Sequence, residues 1–329
     1  MQQDGAPPTG PPRERNWVGW GLALFILGAC AWFLDMNQVW SIVSRVHPAA
    51  VVGLLILITL DRLLMAWKWA LLLRVVGVRL PLGLITRFYY QGSLTGIFLP
   101  SSIGGDLLRA TWVAHASGVK HGVFASLLME KIVGLLSAVI WAIIGAVVLL
   151  CVHYDDLAWI WLLVGATSLS AVILLFLASL HASVHEFVLS GLGRFATLRA
   201  VGLLHRLYQA YAHFSSAKNA LAANMVLTLT EHALQMAVFL LVARNLGIEV
   251  DAILFFAMTG VQFLVFRIPI SPDGWGIGEL SAIGLFGLIG VSAEAAFTMM
   301  FVNHILTTVA CLPGLWFLLW GKRSPAPVA

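Results

Sequence analysis

The stretch Arg267–Glu279 interrupts a long apolar run at a point where an unbroken transmembrane helix is expected. Its two prolines remove backbone donors and clash with the preceding helical turn, and its three glycines permit left-handed backbone. The chain therefore has to unwind inside a hydrophobic segment. Because irregular backbone at membrane depth is tolerated only where it is buried in protein or lines a cavity, this break predicts a site.

The composition supports placing that break in a membrane. The chain has 329 residues, of which 60% are hydrophobic and only 10% are charged, and its mean hydropathy is +0.93. Soluble globular domains carry about 25% charged residues, so this chain is predicted to be an all-α polytopic membrane protein. The net charge of +4 is only a weak signal for anionic lipid headgroups, because basic cytoplasmic loops alone would produce it. No nucleic-acid partner is expected.

A second break, 99–109, repeats the pattern of proline, serine, glycines, an acid and a resumed helix. Its members resemble those of the first break, which is longer by a few residues: Pro100, Ser101, Gly104, Gly105 and Asp106 against Pro269, Ser271, Gly276, Gly278 and Glu279. Paired interruptions in the two halves of a hydrophobic chain predict a transporter-like binding site and a possible inverted repeat.

Six stretches are long and apolar enough to cross a bilayer: 17–34, 48–76, 121–152, 157–180, 219–242 and 293–320. The segments flanking the breaks, 82–98 with 105–116 and 251–266 with 278–290, are too short to cross. They predict two re-entrant broken-helix hairpins that enter from opposite faces.

The domain organisation follows from the same pattern. We expect a disordered cytoplasmic tail over 1–16, a single transmembrane domain over 17–321 and a second disordered cytoplasmic tail over 322–329. Lysine and arginine gather on one side, which places both termini and the connection 181–218 in the cytoplasm of an inner-membrane protein. The same rule places residue 155 and the turn 247–251 outside.

Polar side chains interrupt several predicted spans. Asn224, Thr228, Glu231 and Gln235 lie at offsets that form one stripe on a helical face. Such a stripe is either a hydrogen-bonding seam between helices or the lining of a cavity. His232 and His304 have no metal-ligand spacing and are interpreted as interior histidines, and no cofactor, metal or catalytic motif is present, which argues against an enzyme.

Each break offers glycine amides at a helix N-terminus, where free N–H groups favour an anion such as a lipid phosphate. Asp106 and Glu279 equally satisfy those donors if they cap the helices. The neighbouring bases Arg109 and Arg267 either neutralise acids or bind phosphate. Because Glu130 and Lys131 point about 100° apart on one helix, each needs another partner: Asp106 or a phosphate for Lys131, and Arg109 or Arg267 for Glu130.

Three motifs carry a resemblance to a known family: Phe98-Leu-Pro-Ser-Ser-Ile-Gly-Gly-Asp-Leu-Leu-Arg109, Ser126-Leu-Leu-Met-Glu-Lys-Ile-Val-Gly134 and Pro269-Ile-Ser-Pro-Asp-Gly-Trp-Gly-Ile-Gly-Glu279. Together they resemble the lysylphosphatidylglycerol synthase transmembrane-region family. The resemblance implies a flippase-like protein that moves a lipid with a polar head between leaflets. The chain has Glu-Lys where the family usually has Glu-Arg, and no soluble aminoacyl-transferase domain follows residue 320, so lysyl transfer is not expected of it.

The predicted function is therefore a lipid flippase or transporter whose substrate is a membrane lipid with a phosphate-bearing, anionic or zwitterionic headgroup. One alternative is an accessory subunit that presents lipid to a separate lipid-modifying synthase or glycosyltransferase. Another is an ion-coupled small-solute transporter, which the intramembrane acids Asp61, Glu130 and Glu231 would suit. The predicted substrate-binding residues are Pro100, Ser101, Ser102, Gly104, Gly105, Asp106, Arg109, Glu130, Lys131, Arg267, Pro269, Ser271, Asp273, Gly276, Gly278 and Glu279.

Overall fold

The computed structural model describes residues 17–99, 102–152, 208–209, 211–267 and 271–320. Both predicted tails, the predicted span 157–180 and most of the connection 181–218 lie outside these ranges. So do three of the predicted site residues, Pro100, Ser101 and Pro269.

The described part of the chain is all-α, with no strand, as predicted. The helices for which both ends are described are α1 Trp17–Phe33, α2 Met36–Val43, α3 Pro48–Val75, α4 Leu82–Ile97, α5 Ser102–Ser117, α6 Lys120–Val152, α7 Lys218–Asn245, α8 Ala252–Val265, α9 Ile277–Gly287, α10 Ala293–Ala310 and α11 Pro313–Leu319. A 3₁₀ turn, Pro272–Gly274, stands in the second break. Asp35, Asp251 and Ser292 cap α2, α8 and α10 by accepting hydrogen bonds from backbone amides.

Four stretches among the described residues are long and apolar enough to cross a membrane, namely α3, α6, α7 and α10 with α11. A fifth exists only if α1 and α2, which are bent by 99°, count as one span. The predicted last span, 293–320, is interrupted at Cys311 and Leu312, because Pro313 cannot continue the helix before it.

The first hairpin, α4 with α5, is held together by glycines. A Cβ on Gly92 would lie 2.8 Å from the Gly105 carbonyl oxygen, and one on Gly96 would lie 3.3 Å from the Gly105 Cα atom. Small residues allow this close approach of two backbones. The predicted start of the second helix at residue 105 is wrong: α5 begins at Ser102, so Gly104 and Gly105 are helical and pack against Leu99 and α4.

The second hairpin, α8 with α9, makes its contact at the corresponding place. Gln262 donates from Nε2 to the Gly278 carbonyl oxygen at 3.2 Å, and a Cβ on Gly278 would lie 3.1 Å from the Phe266 ring. Helix α9 runs over Ile277–Gly287, against the predicted 278–290. The 3₁₀ turn of this break packs against α4 and α5. The second break therefore lies against both helices of the first hairpin, in line with the predicted approach of the two breaks, although Pro100 and Ser101 of the first break lie outside the described residues.

Helices α3 and α7 pack antiparallel, since Lys68 bonds to Asn224 while Asp61 bonds to Gln235. Each is followed by a short connection and a hairpin. Because α3 and α7 end at opposite ends of the molecule, the two hairpins start from opposite ends. This is the arrangement that an inverted repeat requires.

The spacing of the helices matches that repeat. Helices α3 and α4 begin at positions 48 and 82, and α7 and α8 begin at positions 218 and 252, so both pairs are offset by the same interval. Helices α6 and α10 begin at positions 120 and 293, which is a slightly longer offset. The additional residues fall within the second break. Helices α3, α4 and α6 of the first half therefore correspond in order and spacing to α7, α8 and α10 of the second.

Two tight backbone crossings occupy equivalent positions in the two halves. A Cβ on Gly260 of α8 would lie 2.5 Å from the Trp141 carbonyl oxygen of α6, and one on Gly314 of α11 would collide with the Tyr90 carbonyl oxygen of α4. Gly260 follows Tyr90 by the offset between α4 and α8, and Gly314 follows Trp141 by the offset between α6 and α10. The same crossing therefore occurs twice. In one crossing the glycine is Gly260, the equivalent of Tyr90, and in the other it is Gly314, the equivalent of Trp141.

Candidate functional site

The polar stripe of α7 faces α3. Asn224 donates to the Lys68 carbonyl oxygen at 2.7 Å, the Lys68 ammonium pairs with Glu231, and Gln235 donates to Asp61 at 3.3 Å. These side chains form a hydrogen-bonding seam between α3 and α7, which is the first of the two interpretations of the stripe. Glu231 and Gln235 also line a cavity, which is the second interpretation.

Arg109 of α5 is buried at the centre of an ionic cluster. Its guanidinium donates to Asp106 at 2.9 Å and to Glu130 of α6 at 2.7 Å. The rings of Trp69 and Tyr89 lie 4.2 and 4.6 Å from the guanidinium carbon. Of the two predicted partners of Glu130, the structure selects Arg109.

Lys131 of α6 completes this cluster by pairing with Asp106, as one of its predicted alternatives states. The Lys131 side chain is 48% exposed, whereas Arg109 is 2% exposed. Asp106 lies in the second turn of α5, so the interpretation of Asp106 as a helix cap is wrong. Two acids and two bases balance one another, which leaves the cluster without net charge.

Glu279 of α9, in contrast, does cap its helix. Its Oε2 accepts a hydrogen bond from the Gly276 amide at 2.7 Å, and its Oε1 lies 2.7 Å from His304 Nδ1. Gly278 packs against His304 and Phe266. The Gly276 amide is therefore held by the Glu279 carboxylate, which is the capping alternative, whereas a phosphate on the Gly278 amide stays a prediction.

Two adjacent cavities lie between the helices. Cavity I, of about 290 Å³, is bounded by α3, α7, α8, the 3₁₀ turn and α10. Cavity II, of about 200 Å³, is bounded by α3 to α7 and by the second break. They have a common wall, which consists of Arg62, Met65, Glu231, His232, Arg267 and Asp273. Cavity I approaches the lower end of small-molecule sites, ~300–1,000 Å³.

The cavities are lined by five lysines and arginines that differ in their partners. Lys68, Arg109 and Lys131 each pair with a carboxylate. Arg62 and Arg267, both in the common wall, have no carboxylate within 4.0 Å among the residues that the structure describes. A guanidinium without a carboxylate partner is costly inside a membrane protein, so these two arginines make the common wall the candidate site.

The surroundings of the two arginines leave donors available. The Nε of Arg62 is buried and makes no hydrogen bond in the described part of the chain, and its Nη1 lies 3.8 Å from Met65 Sδ. Arg267 donates from Nη2 to His232 Nε2 at 2.9 Å. Since arginine only donates, His232 carries its proton on Nδ1 and donates to Ser137 Oγ at 2.7 Å.

The remaining predicted site residues separate into three groups. Asp273 lines both cavities in left-handed backbone with φ of 49°, and Ser271 lines cavity I with a buried hydroxyl that has no partner among the described residues. Gly105 lines cavity II. Gly104, Gly276, Gly278 and Glu279 line neither cavity, and Ser102 only begins α5.

The predicted site residues did not include Arg62, and its neighbourhood contains a signal that identifies it. The couplet Asp61-Arg62 recurs as Glu231-His232, at the same offset that separates α3 from α7. An acid followed by a base at equivalent places in two apolar helices indicates that the two couplets face the same interior region.

Comparison with known proteins agrees with the motifs quoted above. No curated protein matches the chain. The family described as the lysylphosphatidylglycerol synthase TM region matches residues 17–314, which includes both hairpins, both cavities and nearly all of the four long apolar stretches. This all-α membrane protein therefore belongs to the lysylphosphatidylglycerol synthase transmembrane-region family.

Proposed function

We propose that this protein moves a lipid with a phosphate-bearing polar head between the leaflets of the inner membrane. The headgroup passes the common wall of cavities I and II while the acyl chains remain in the bilayer. The observation that carries this proposal is the pair Arg62 and Arg267, which face both cavities without a carboxylate partner among the described residues. Membership of a lipid-handling family supports the lipid as the substrate class.

Phosphate is the anion that suits such a wall. A guanidinium presents several donors in a planar fork that matches two phosphate oxygens, and it stays charged at every physiological pH. A hydrogen bond to a charged group contributes about 1.5–3 kcal/mol to the free energy of binding. Two such residues at the boundary of two cavities can hold a phosphate from either side, which a route across the membrane requires.

The common wall also offers negative charge. Asp61 beside it and Asp273 within it have no lysine, arginine or histidine within 4.0 Å among the described residues. A headgroup with a phosphate and an ammonium would find a partner for each charge. This favours a zwitterionic headgroup over a bare anion.

The internal repeat supports movement rather than binding alone. Hairpins that start from opposite ends and meet at the two cavities give each side of the membrane an equivalent element that can open. The route is tested with purified protein in liposomes that contain a fluorescent phospholipid, by measuring how much of it becomes accessible to a membrane-impermeant quencher.

Arg62→Gln and Arg267→Gln should each slow the transfer by about tenfold or more, which corresponds to the loss of one charge-assisted bond. Arg74→Gln is the matched control, because Arg74 lies on α3, the helix of Arg62, and lines neither cavity. Equal rates for all three variants would contradict the proposal. Lipid that binds to the wild type without being transferred would favour the accessory-subunit alternative, and solute uptake without lipid transfer would favour the solute transporter.

A further inference from the structure

The two hairpins are fastened to the following long helix by equivalent acid–base pairs. In the first half, Asp106 of α5 pairs with Lys131 of α6, and in the second half Glu279 of α9 pairs with His304 of α10. Glu279 follows Asp106, and His304 follows Lys131, by the same offset that separates the starts of α6 and α10. The two pairs therefore occupy the same place in the repeat.

The bases differ in a way that matters chemically. A lysine ammonium paired with a carboxylate keeps its charge across the physiological range, whereas histidine is the side chain that changes charge between about pH 5 and pH 8. Lys131 is half-exposed at cavity II, and His304 is 5% exposed in the lining of cavity I. Of the two bases, only the histidine belongs to a residue type whose charge changes near neutral pH.

His304 contacts several described residues in and beside the second break. Its Nδ1 bonds to one oxygen of Glu279, and the other oxygen of Glu279 holds the Gly276 amide at the start of α9. The ring of Trp275 lies 4.8 Å from the imidazole centroid, and that of Phe266 lies 6.1 Å away. The loop, the helix start and the histidine form one connected unit.

The second ring nitrogen is the available proton acceptor. His304 Nε2 makes no hydrogen bond to the residues that the structure describes, and a Cβ built on Gly274 would lie 3.8 Å from it. A proton that binds there converts a neutral imidazole hydrogen-bonded to Glu279 into an imidazolium paired with it. The second hairpin then acquires the same kind of ion pair that the first hairpin always has.

The other titratable and charged groups around His304 lie on α9, in the second break, on α3 and on α7, with Cys30 of α1 beside Glu279. They are Glu279 of α9, Asp273 and Arg267 of the second break, Asp61 and Arg62 of α3, and Glu231 and His232 of α7. The four carboxylates among them outnumber the two arginines. A proton on His304 is therefore balanced by its surroundings, and it changes the charge of cavity I next to the common wall.

From this geometry we propose that His304 is a proton-binding site that couples the second hairpin, and with it lipid movement, to protons taken from cavity I. The inference rests on the proposed lipid transfer and adds the coupling ion to it. The bound proton strengthens the hold of Glu279 on α10, and its release weakens that hold while the first hairpin remains fastened by Lys131.

Proton binding is tested first without any transport measurement. In protein labelled with ¹⁵N-histidine and placed in lipid nanodiscs, the His304 resonance is the one that disappears in His304→Gln. The proposal predicts that Nε2 of this ring carries a proton at acidic pH and loses it as the pH is raised. A His304 ring that keeps one form at every pH at which the protein stays folded would overturn the inference.

Coupling is tested by the rate of lipid transfer at about pH 5.5 and about pH 8. The wild-type rate should differ by about threefold or more, while His304→Lys, which copies the base of the first half, should lose that difference. Lys131→Arg is the matched control and should keep it. A wild-type rate that ignores pH, or a His304→Lys variant that keeps the wild-type pH dependence, would overturn coupling.

Folding of each variant is checked by gel filtration and thermal unfolding, and His304→Gln replaces His304→Lys if the lysine variant misfolds. A wild-type protein that moves no lipid at all contradicts the proposed function. The titration of the His304 resonance then decides the proton site independently, so the two failures are distinguishable.

Discussion

Lys131 and His304 each lie 25 residues after the acid with which they pair, Asp106 and Glu279. Each pair connects the helix that follows a break to the next long helix. A contact repeated at the same spacing in two antiparallel halves shows that both breaks are fixed in place by the same means. The difference between the halves lies in the chemistry of the base, and the function proposed for the second half depends on it.

The buried cluster around Arg109 should be critical for stability. Glu130→Gln leaves the Arg109 charge only partly compensated in the interior, and breaking a buried pair on one side costs about 3–5 kcal/mol. The double variant Arg109→Met with Glu130→Leu keeps the Asp106–Lys131 pair, so it should recover much of the loss. Thermal unfolding in detergent measures both variants. A double variant that unfolds at the same temperature as the single one would contradict this account.

The tight crossings of the repeat predict which glycines cannot change. Gly260→Ala should lower the unfolding temperature clearly, because its Cβ would lie 2.5 Å from the Trp141 carbonyl oxygen. Gly284→Ala is the control: Gly284 lies within a helix and has nothing within 4 Å of a Cβ. We expect its unfolding temperature to stay the same or rise slightly. Similar losses at both positions would refute the close crossing.

Much of the architecture could be predicted from the sequence because it depends on local chemistry. Apolar length predicted α3, α6 and α7 to within a few residues, and proline with glycine predicted both breaks. The ion pairs of Glu130 and Lys131 were predicted only as alternatives, since the choice depends on how α5 and α6 pack. The start of α5 was less predictable, because Gly104 packs on Leu99 and Gly105 packs on α4, and both are helical despite the weak helix propensity of glycine.

The common wall could not be predicted from either half alone. In the sequence, Arg62 has only its neighbour Asp61 as an apparent partner, and its place beside α7 and the second break is visible only in the folded protein. Glu279 reads equally well as a ligand or as a cap, and only the contacts of both its oxygens decide between them. A site made by two halves of a repeat requires the tertiary arrangement, or recognition of the constant offset between the halves.

We expect the charge of Asp273 to contribute to lipid transfer, while its backbone conformation lowers the stability of the folded protein. Its φ of 49° is unfavourable for a residue other than glycine, by roughly 1 kcal/mol. Asp273→Gly should therefore raise the unfolding temperature while it slows lipid transfer, because the carboxylate in the common wall is lost. Asp273→Asn separates the two effects, since asparagine tolerates this backbone but has no charge. Unchanged transfer by both variants would argue against a role for Asp273.

The antiparallel packing of α3 and α7, combined with the positive-inside rule, predicts the orientation of their ends. In a background without Cys30, Cys151 and Cys311, an impermeant thiol reagent should label Glu249→Cys on intact cells. It should label Ser216→Cys only after the inner membrane is made permeable. Both residues are exposed, so access decides the result. Labelling of residue 216 but not residue 249 on intact cells would reverse the proposed topology.

The central claim is that Arg62 and Arg267 bind the phosphate of a lipid headgroup, and native mass spectrometry of the purified protein tests it most directly. We expect the wild type to retain a phosphorus-containing lipid whose mass identifies the headgroup. The double variant Arg62→Gln with Arg267→Gln should lose that lipid, while Arg74→Gln should keep it. Retention of the same lipid by the double variant and the wild type, or a wild type that retains no phosphorus-containing lipid, would contradict the claim.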